Sequence, residues 1–212
     1  MLAYVFWHRP RDRAQRDAYE HALCTFHRSL ARRAPAGMVA SAVYRVAELP
    51  WRTGSPLVDG ELDAPAYEDW YIVEDFASLG VLNEAAVGRG HRSSHDEAAH
   101  RYGAGTGALY ALLEGEPSAS VLAGAALAVW VARPAGSAGD SRQGPLAELL
   151  GDGMDPHGAS LWRRTLVLGP AAEYCLLGRE VPSGVGAARL PQGWTATVLE
   201  RDVLWSAAAA PS

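Results

Sequence analysis

The sequence predicts an α+β fold in which two similar β-α-β-β units pack sheet to sheet. The first observation behind this prediction is a faint repeat: the segment Leu2 to Pro10 reappears as Ala126 to Pro134, and both copies end in Arg-Pro. The second is that the predicted elements after each copy follow a similar order. The third is a hydrophobic content of 49% over 212 residues, which is enough to build a core and argues against global disorder.

Patterns of apolar residues place three strands and one helix in the first third of the chain. Aromatic and β-branched residues predict strands over 2–8, 38–48 and 67–75. Between the first two strands, apolar residues recur at three- and four-residue spacing, which predicts a helix over 13–33. That stripe consists of Tyr19, Leu23, Phe26 and Leu30. The segment 51–66, rich in Gly, Pro and Asp, is expected to be a loop before the third strand.

After the third strand the sequence predicts two helices. The first is short, from Phe76 to Val87, and the second is longer, from His91 to Glu114. Three glycines weaken the second helix, since an interior glycine costs up to about 1 kcal/mol relative to alanine. The glycine-rich stretch Gly103 to Gly107 does not fit a phosphate-binding loop, because no predicted strand precedes it and the lysine of such loops is missing.

The second half repeats this plan with fewer residues. Strands are predicted over 124–133, 159–168 and 172–178, and segment 194–204 is expected to be a strand or a helix. A polar loop over 136–144 leads to a short helix over 145–150, and another short helix covers 183–190. The alanine-rich tail, residues 207–212, is expected to be frayed. We therefore assign residues 1–120 to the first unit, with loop 51–66 and the long helix as additions, and residues 121–212 to a reduced second unit.

A β-α-β-β unit folds as a ferredoxin-like antiparallel sheet with helices on one face, which leaves the other face apolar and bare. Two such units bury both faces by packing together. The arrangement resembles the dimeric α+β barrel superfamily, in which two ferredoxin-like units form one barrel. The resemblance is carried by the strand end Val5 to Pro10, the helical segment Tyr19 to His27 and the strand Glu68 to Asp75. It implies a pseudo-dimeric barrel within one chain and a ligand pocket between the sheet and helices of one unit.

Composition excludes several classes of partner. The net charge is −5, all 19 basic residues are arginine, and none forms a block longer than a pair, which argues against nucleic-acid binding. The longest apolar stretch, near residues 121–132, is too short to span a membrane, and no secretory signal pattern is visible. Cys24 and Cys175 are expected to be free thiols, since two distant cysteines make no zinc site. We expect a cytoplasmic protein, monomeric or homodimeric, with a small-molecule ligand.

The candidate catalytic residues are His8, His27 and Glu74. His8 ends the first strand, whereas the repeat has Ala132 there, and imidazole is the side chain that titrates near neutrality. His27 lies beside the apolar stripe of the first helix, two turns after Glu20, which would orient its ring. The acids of the third strand are lost in the second copy, so the site is predicted in the N-terminal half. The structural alternative is that these histidines and acids are core or surface groups.

The candidate substrate-binding residues are aromatic: Trp7, Trp51, Trp70 and Tyr71. Alternation places Trp70 and Glu74 on one face of the third strand and Asp69 and Tyr71 on the other. The resemblance includes cofactor-free monooxygenases, polyketide cyclases, lactone isomerases, haem proteins and stress proteins, so the fold does not fix the function. We expect acid–base chemistry without a cofactor: isomerisation, cyclisation or oxygenation of an aromatic or polyketide-like compound. A haem enzyme and a non-catalytic structural or stress-related module are the alternatives.

The histidines at 91, 95 and 100 are candidates for a metal site. His91 and His95 have the i, i+4 spacing of helical metal ligands. However, Ser93 and Ser94 resemble a helix start, which would leave His91 outside the helix, and His100 points to another side. We therefore predict no metal site from this set.

Overall fold

The computed structural model describes residues 1–47, 66–132, 158–167, 172–179, 190 and 192–208. Within these residues lie eight strands and four α-helices. The strands are β1 (Leu2–Pro10), β2 (Met38–Val46), β3 (Ala66–Val73), β4 (Tyr102–Gly115), β5 (Leu127–Ala132), β6 (Ala159–Val167), β7 (Tyr174–Gly178) and β8 (Thr195–Ala208). The helices are α1 (Arg16–Arg32), α2 (Phe76–Glu84), α3 (Arg92–Ala99) and α4 (Ala119–Gly124). A π-helical turn, Ala85–Arg89, links α2 to α3.

The strands close into a barrel in the order β1-β3-β2-β8-β5-β7-β6-β4, and every neighbouring pair is antiparallel. The first half contributes β4-β1-β3-β2 and the second half contributes β8-β5-β7-β6, so both halves have the same relative strand order. The half-sheets join edge to edge, β2 to β8 and β4 to β6, which leaves no open edge in the barrel. The predicted α+β fold with two ferredoxin-like halves is confirmed.

Large aromatic side chains fill the barrel interior. Six of them are almost completely buried there: Trp7, Trp70, Trp130, Trp162, Tyr44 and Tyr110. The four tryptophan rings and the Tyr110 ring pack at centroid distances from 5.3 to 6.5 Å. This packing accounts for much of the aromatic content of the strands, because aromatic side chains bury large apolar areas and fit a pleated surface.

The helix α1 covers the outer face of the first half-sheet. Its predicted apolar stripe is buried, against β2 and β3 at one end and against α2 at the other. The helices α2 and α3 lie on the same side. The strands and helices predicted up to residue 87 are therefore confirmed, with ends that differ by a few residues.

The predicted helix from His91 to Glu114 is wrong. α3 ends at Ala99, and the following residues form β4, which pairs with β1 and β6. Ala108, Tyr110 and Leu112 alternate into the barrel interior, which is the two-residue period of a strand. The C-terminal prediction also changes: 195–208 is a strand, and residues 207 and 208 pair with β2 instead of fraying.

When the two first strands are aligned by the sheet face of each side chain, the alignment differs by one residue from the alignment by sequence. Trp7 and Trp130 both point into the barrel, with ring centroids 5.3 Å apart. In the sequence alignment Trp7 instead matches Val131, which faces outward. The outward-facing His8 therefore corresponds to Val131 and not to Ala132.

Several predicted elements fall outside the described residues. These are most of loop 51–66, the loop over 136–144, the helix over 145–150 and most of the helix over 183–190. None of the helices in the described part combines the length and apolar character needed to cross a bilayer.

Candidate functional site

A cavity of about 770 Å³ lies between the first half-sheet and the helices α1 to α3. This volume is within the range of small-molecule sites, about 300 to 1,000 Å³. Most of its lining is apolar or aromatic, and β6 contributes Leu166 at the rim. The polar side chains on the sheet side of the cavity are those of Tyr4, His8, Asp69, Tyr71 and Tyr102, and Tyr19 reaches down to them from α1.

His8 and Asp69 form the polar centre of this wall. They lie on neighbouring strands, β1 and β3, and both are almost completely buried. His8 Nε2 is 3.2 Å from Asp69 Oδ1. The contact is not aligned as a hydrogen bond, and neither atom has another hydrogen-bond partner within the described residues. His8 Nδ1 is 2.6 Å from the Tyr19 hydroxyl, where the histidine tautomer decides which group donates.

His27 supports Asp69 from the helix side. It is fully buried on α1, with Nε2 3.5 Å from Asp69 Oδ2. Tyr71 donates its hydroxyl proton to Asp69 Oδ2 at 3.2 Å, and its ring stacks on the His27 ring at 4.9 Å. Two histidines and one tyrosine therefore hold the Asp69 carboxylate in place.

The charges in the site favour an ionised Asp69 among neutral phenols. Burial alone would raise the pKa of the Asp69 carboxyl, but His8 and His27 outweigh burial and hold that pKa well below its ordinary value. Burial, and then the Asp69 charge, raise the pKa of Tyr19 and Tyr71 above the usual value for tyrosine. The two phenols stay protonated at neutral pH and can act as hydrogen-bond donors.

The protein should lose stability in acid partly through Asp69. Because the folded pKa of Asp69 lies below its unfolded value, its stabilising contribution is complete above about pH 5 and is lost progressively as the pH falls further. Urea denaturation between about pH 3 and about pH 5 should give a free energy of unfolding that falls less steeply for Asp69→Asn than for the wild type. Asp202→Asn, which alters an exposed carboxylate, should keep the wild-type slope. Equal slopes for Asp69→Asn and the wild type would contradict this assignment.

The structure brings some of the predicted site residues together and separates others. His8 and Tyr71 line the cavity, and His27 lies directly behind them. Trp7 and Trp70 were predicted to share this pocket, which is wrong: alternation along β1 and β3 turns both into the barrel interior. Their indole nitrogens donate to Glu68, at 3.0 and 2.6 Å.

Glu74 is not the carboxylate of the site. It follows the last residue of β3, is exposed and does not line the cavity, whereas Asp69 lies beside both histidines. Glu20 does not orient His27 either, because it accepts hydrogen bonds from Arg16, Arg45 and Tyr67. Trp51 and its loop lie outside the described residues.

Sequence reasoning missed Asp69 and Tyr19 as members of the site. Tyr19 belongs to the apolar stripe of α1, which gave no sign that its hydroxyl reaches His8. Asp69 and Tyr71 were correctly placed on one face of the strand. The alternation does not reveal that the face of Asp69 and Tyr71, and not the face of Trp70, lies under the helices.

His91, His95 and His100 do not converge on one point. His91 precedes α3 and donates from Nε2 to the carbonyl oxygen of Arg33 at 3.0 Å, while its Nδ1 contacts Ser29 Oγ at 2.7 Å. His95 lines the cavity, and His100 bonds to its own helix backbone. Over the described ranges, no group of three or more His, Cys, Asp or Glu side chains could hold a metal ion.

The described cavity does not fit haem, which the resemblance raised as an alternative. His8 is held between the Tyr19 hydroxyl and the Asp69 carboxylate, a setting that favours proton transfer over ligation of iron. The negative Asp69 on the floor would also repel haem propionates, and no arginine appears among the described lining residues. We derive no chemistry through a haem.

Sequence comparison finds no matching protein-family model and no matching curated protein. Several solved structures resemble this one, including the following three. A protein from Fusobacterium nucleatum, provisionally named a monooxygenase, has a TM-score of 0.60 at 9% identity over 98% of this chain and 94% of that chain. A protein from Lactobacillus acidophilus with the same provisional name has a TM-score of 0.58 at 7% identity, over 98% and 96%. An anthrone oxidase-like protein has a TM-score of 0.51 at 10% identity, over 99% and 94%. At these identities the likeness concerns architecture alone: the chain has an α+β barrel fold like that of these three structures.

Proposed function

We propose that this protein is a cofactor-independent oxygenase that acts on an acidic aromatic compound, such as an anthrone or an electron-rich phenol. The observation that carries the proposal is the His8–Asp69 pair, 3.2 Å apart on the floor of a largely apolar cavity. Acid–base groups in such a cavity suit isomerisation, cyclisation or oxygenation. The names of the similar structures, monooxygenase and anthrone oxidase-like, favour oxygenation.

His8 is the general base in this proposal. In the neutral tautomer whose Nδ1–H donates to the Tyr19 oxygen, Nε2 carries a lone pair and takes a proton from the substrate. The imidazolium that forms lies against the Asp69 carboxylate, which stabilises the positive charge. Tyr71 and His27 keep Asp69 in position and ionised.

Deprotonation prepares the substrate for oxygen. The carbanion or phenolate gives one electron to O2, and the resulting radical pair combines to form a carbon–oxygen bond. The peroxide takes its proton back from His8, so the base is regenerated. With an anthrone, loss of water from the hydroperoxide then gives the quinone, so one anthrone and one O2 yield one anthraquinone and one water.

The cavity walls suit such a substrate. Phe6, Phe26 and Tyr71 offer flat aromatic surfaces, and aromatic rings favour offset stacking or edge contacts with one another. A largely apolar wall also limits the access of water, which would otherwise protonate the carbanion. A ligand-sized cavity that lies above a buried carboxylate does not stabilise the fold. The cavity therefore favours a ligand-binding role over a purely structural one.

The proposal predicts that purified protein, treated with a chelator and free of added cofactor, consumes oxygen when anthrone is supplied. An oxygen electrode and absorbance of the product should show one O2 consumed per anthraquinone formed, at a rate well above spontaneous autoxidation. Heat-denatured protein is the control for autoxidation. A rate no higher than that control would contradict the proposal, and an absorption band of haem in the purified protein would favour the rival enzyme class.

A further inference from the structure

Two glycines on β4 lie beside the site without belonging to it. Gly105 pairs with His8 and Gly107 pairs with Phe6 across the β1–β4 ladder, so both face the helix side of the sheet. They come from the glycine-rich stretch that fails as a phosphate-binding loop. In a strand, glycine often marks a place where another group approaches the backbone closely.

Aromatic rings of β1 occupy the space that side chains at these positions would fill. A β-carbon at Gly107 would lie 2.8 Å from the Tyr4 hydroxyl oxygen and 2.9 Å from Tyr4 Cε2. A β-carbon at Gly105 would lie 2.9 Å from Phe6 Cζ. The rings of Tyr4 and Phe6 therefore lie directly on the backbone of β4.

In this arrangement four rings form one stacked row along the cavity floor. Tyr4 stacks on Phe6 with centroids 6.3 Å apart, and Phe6 stacks on His8 at 5.0 Å. On its other side Tyr4 stacks on Tyr71 at 6.1 Å. A ring that could not lie over β4 would have to move toward Tyr71 and into the space above Asp69.

We propose that Gly107 is a specificity-determining residue of the cavity and acts through Tyr4. By leaving room for the Tyr4 ring on β4, it keeps the floor above Asp69 wide enough for a ligand of fused aromatic rings. The inference rests on the proposed function for the identity of the ligand class, but the effect on cavity width is independent of any reaction.

Gly107 is also the position at which this idea can be tested without unfolding the sheet. All three atoms closest to a β-carbon at Gly107 belong to the Tyr4 ring, which can rotate away. A β-carbon at Gly105 would instead meet the carbonyl oxygen of Trp7 at 2.5 Å, so the backbone would have to move. We therefore expect Gly107→Ala to fold and Gly105→Ala to be destabilised.

The test compares Gly107→Ala, Tyr4→Ala and the double variant by calorimetric titration without oxygen, using anthrone and phenol as probes. Gly107→Ala should weaken the binding of three-ring anthrone about tenfold or more, and that of single-ring phenol less than about twofold. In the Tyr4→Ala background the same substitution should have no effect, because the ring that it displaces is gone. Unchanged anthrone affinity in Gly107→Ala, or an equal loss in both backgrounds, would overturn the proposal.

Crystal structures provide a readout that needs no ligand. In Gly107→Ala the Tyr4 ring should be displaced toward Tyr71, whereas in Gly80→Ala it should stay in place, since a β-carbon at Gly80 has nothing within 4 Å. A Tyr4 ring that keeps its position in Gly107→Ala would refute the idea even if wild-type protein bound neither probe. Because binding is measured without turnover, a protein that discriminates by size but consumes no oxygen would refute the proposed oxygenation alone.

Discussion

Replacing His8 with glutamine should lower the rate of anthrone oxidation by about 10²- to 10⁴-fold, the usual contribution of a positioned acid–base group. Glutamine is polar and can still bond to the Tyr19 hydroxyl, but it cannot take a proton at neutral pH. Because binding depends mainly on the apolar walls, the loss should fall on kcat, with KM little changed. Initial rates of oxygen uptake at several anthrone concentrations measure both parameters.

Two other histidine-to-glutamine variants are matched controls. His100 is exposed, bonds to the backbone of its own helix and is not among the described residues that line the cavity, so His100→Gln should keep the wild-type rate. His27 contacts Asp69 from behind and does not line the cavity, so it is a positioning residue. His27→Gln should lower kcat less than His8→Gln and should change the pH dependence of the rate. A folded His8→Gln protein with the wild-type kcat would show that His8 is not the base.

Residue periodicity was sufficient to predict the first half of the fold up to α2. The stripe of α1 and the alternation of β1 and β3 each have one dominant period, and the structure follows it. The segment after His91 was ambiguous, because small residues such as alanine and glycine pack in either element. This segment forms strand β4 because it pairs with β1 and β6, and those contacts are not local in sequence.

Only part of the site was predicted, again because the sequence lacks non-local information. Alternation separated Asp69 and Tyr71 from Trp70 and Glu74, but it did not say which face lies under the helices. Trp7 and His8 are neighbours in sequence, yet they point to opposite sides of the sheet. The two halves share one strand order, and their first strands match when they are aligned by face. In that alignment His8 has a valine as its counterpart.

Replacing Arg201 with methionine should lower the free energy of unfolding by about 3–5 kcal/mol, as expected when one partner of a buried ion pair is removed. Arg201 on β8 and Glu68 on β3 are both fully shielded from solvent, with Nη1 and Oε1 2.7 Å apart. Arg201 also donates to the carbonyl oxygen of Ala125, and its guanidinium lies 3.9 Å above the Tyr44 ring. Urea denaturation of the wild type and the variant measures the difference.

Two further variants separate the buried charge from the other roles of Arg201. In Arg201→Met/Glu68→Gln no carboxylate remains buried without its cation, and the glutamine oxygen can still accept from an indole nitrogen. The double variant should therefore recover part of the loss, although the bonds to Ala125 stay broken. Arg45→Met removes partly exposed pairs to Asp202 and Glu20, so solvent screening should limit the cost of each to about 1 kcal/mol or less. If Arg201→Met lowered the free energy of unfolding no more than Arg45→Met, the Arg201–Glu68 pair would not be an important link between β3 and β8. Because Asp69 follows Glu68 on β3, a loosened pair should also reduce kcat without changing any residue of the cavity wall.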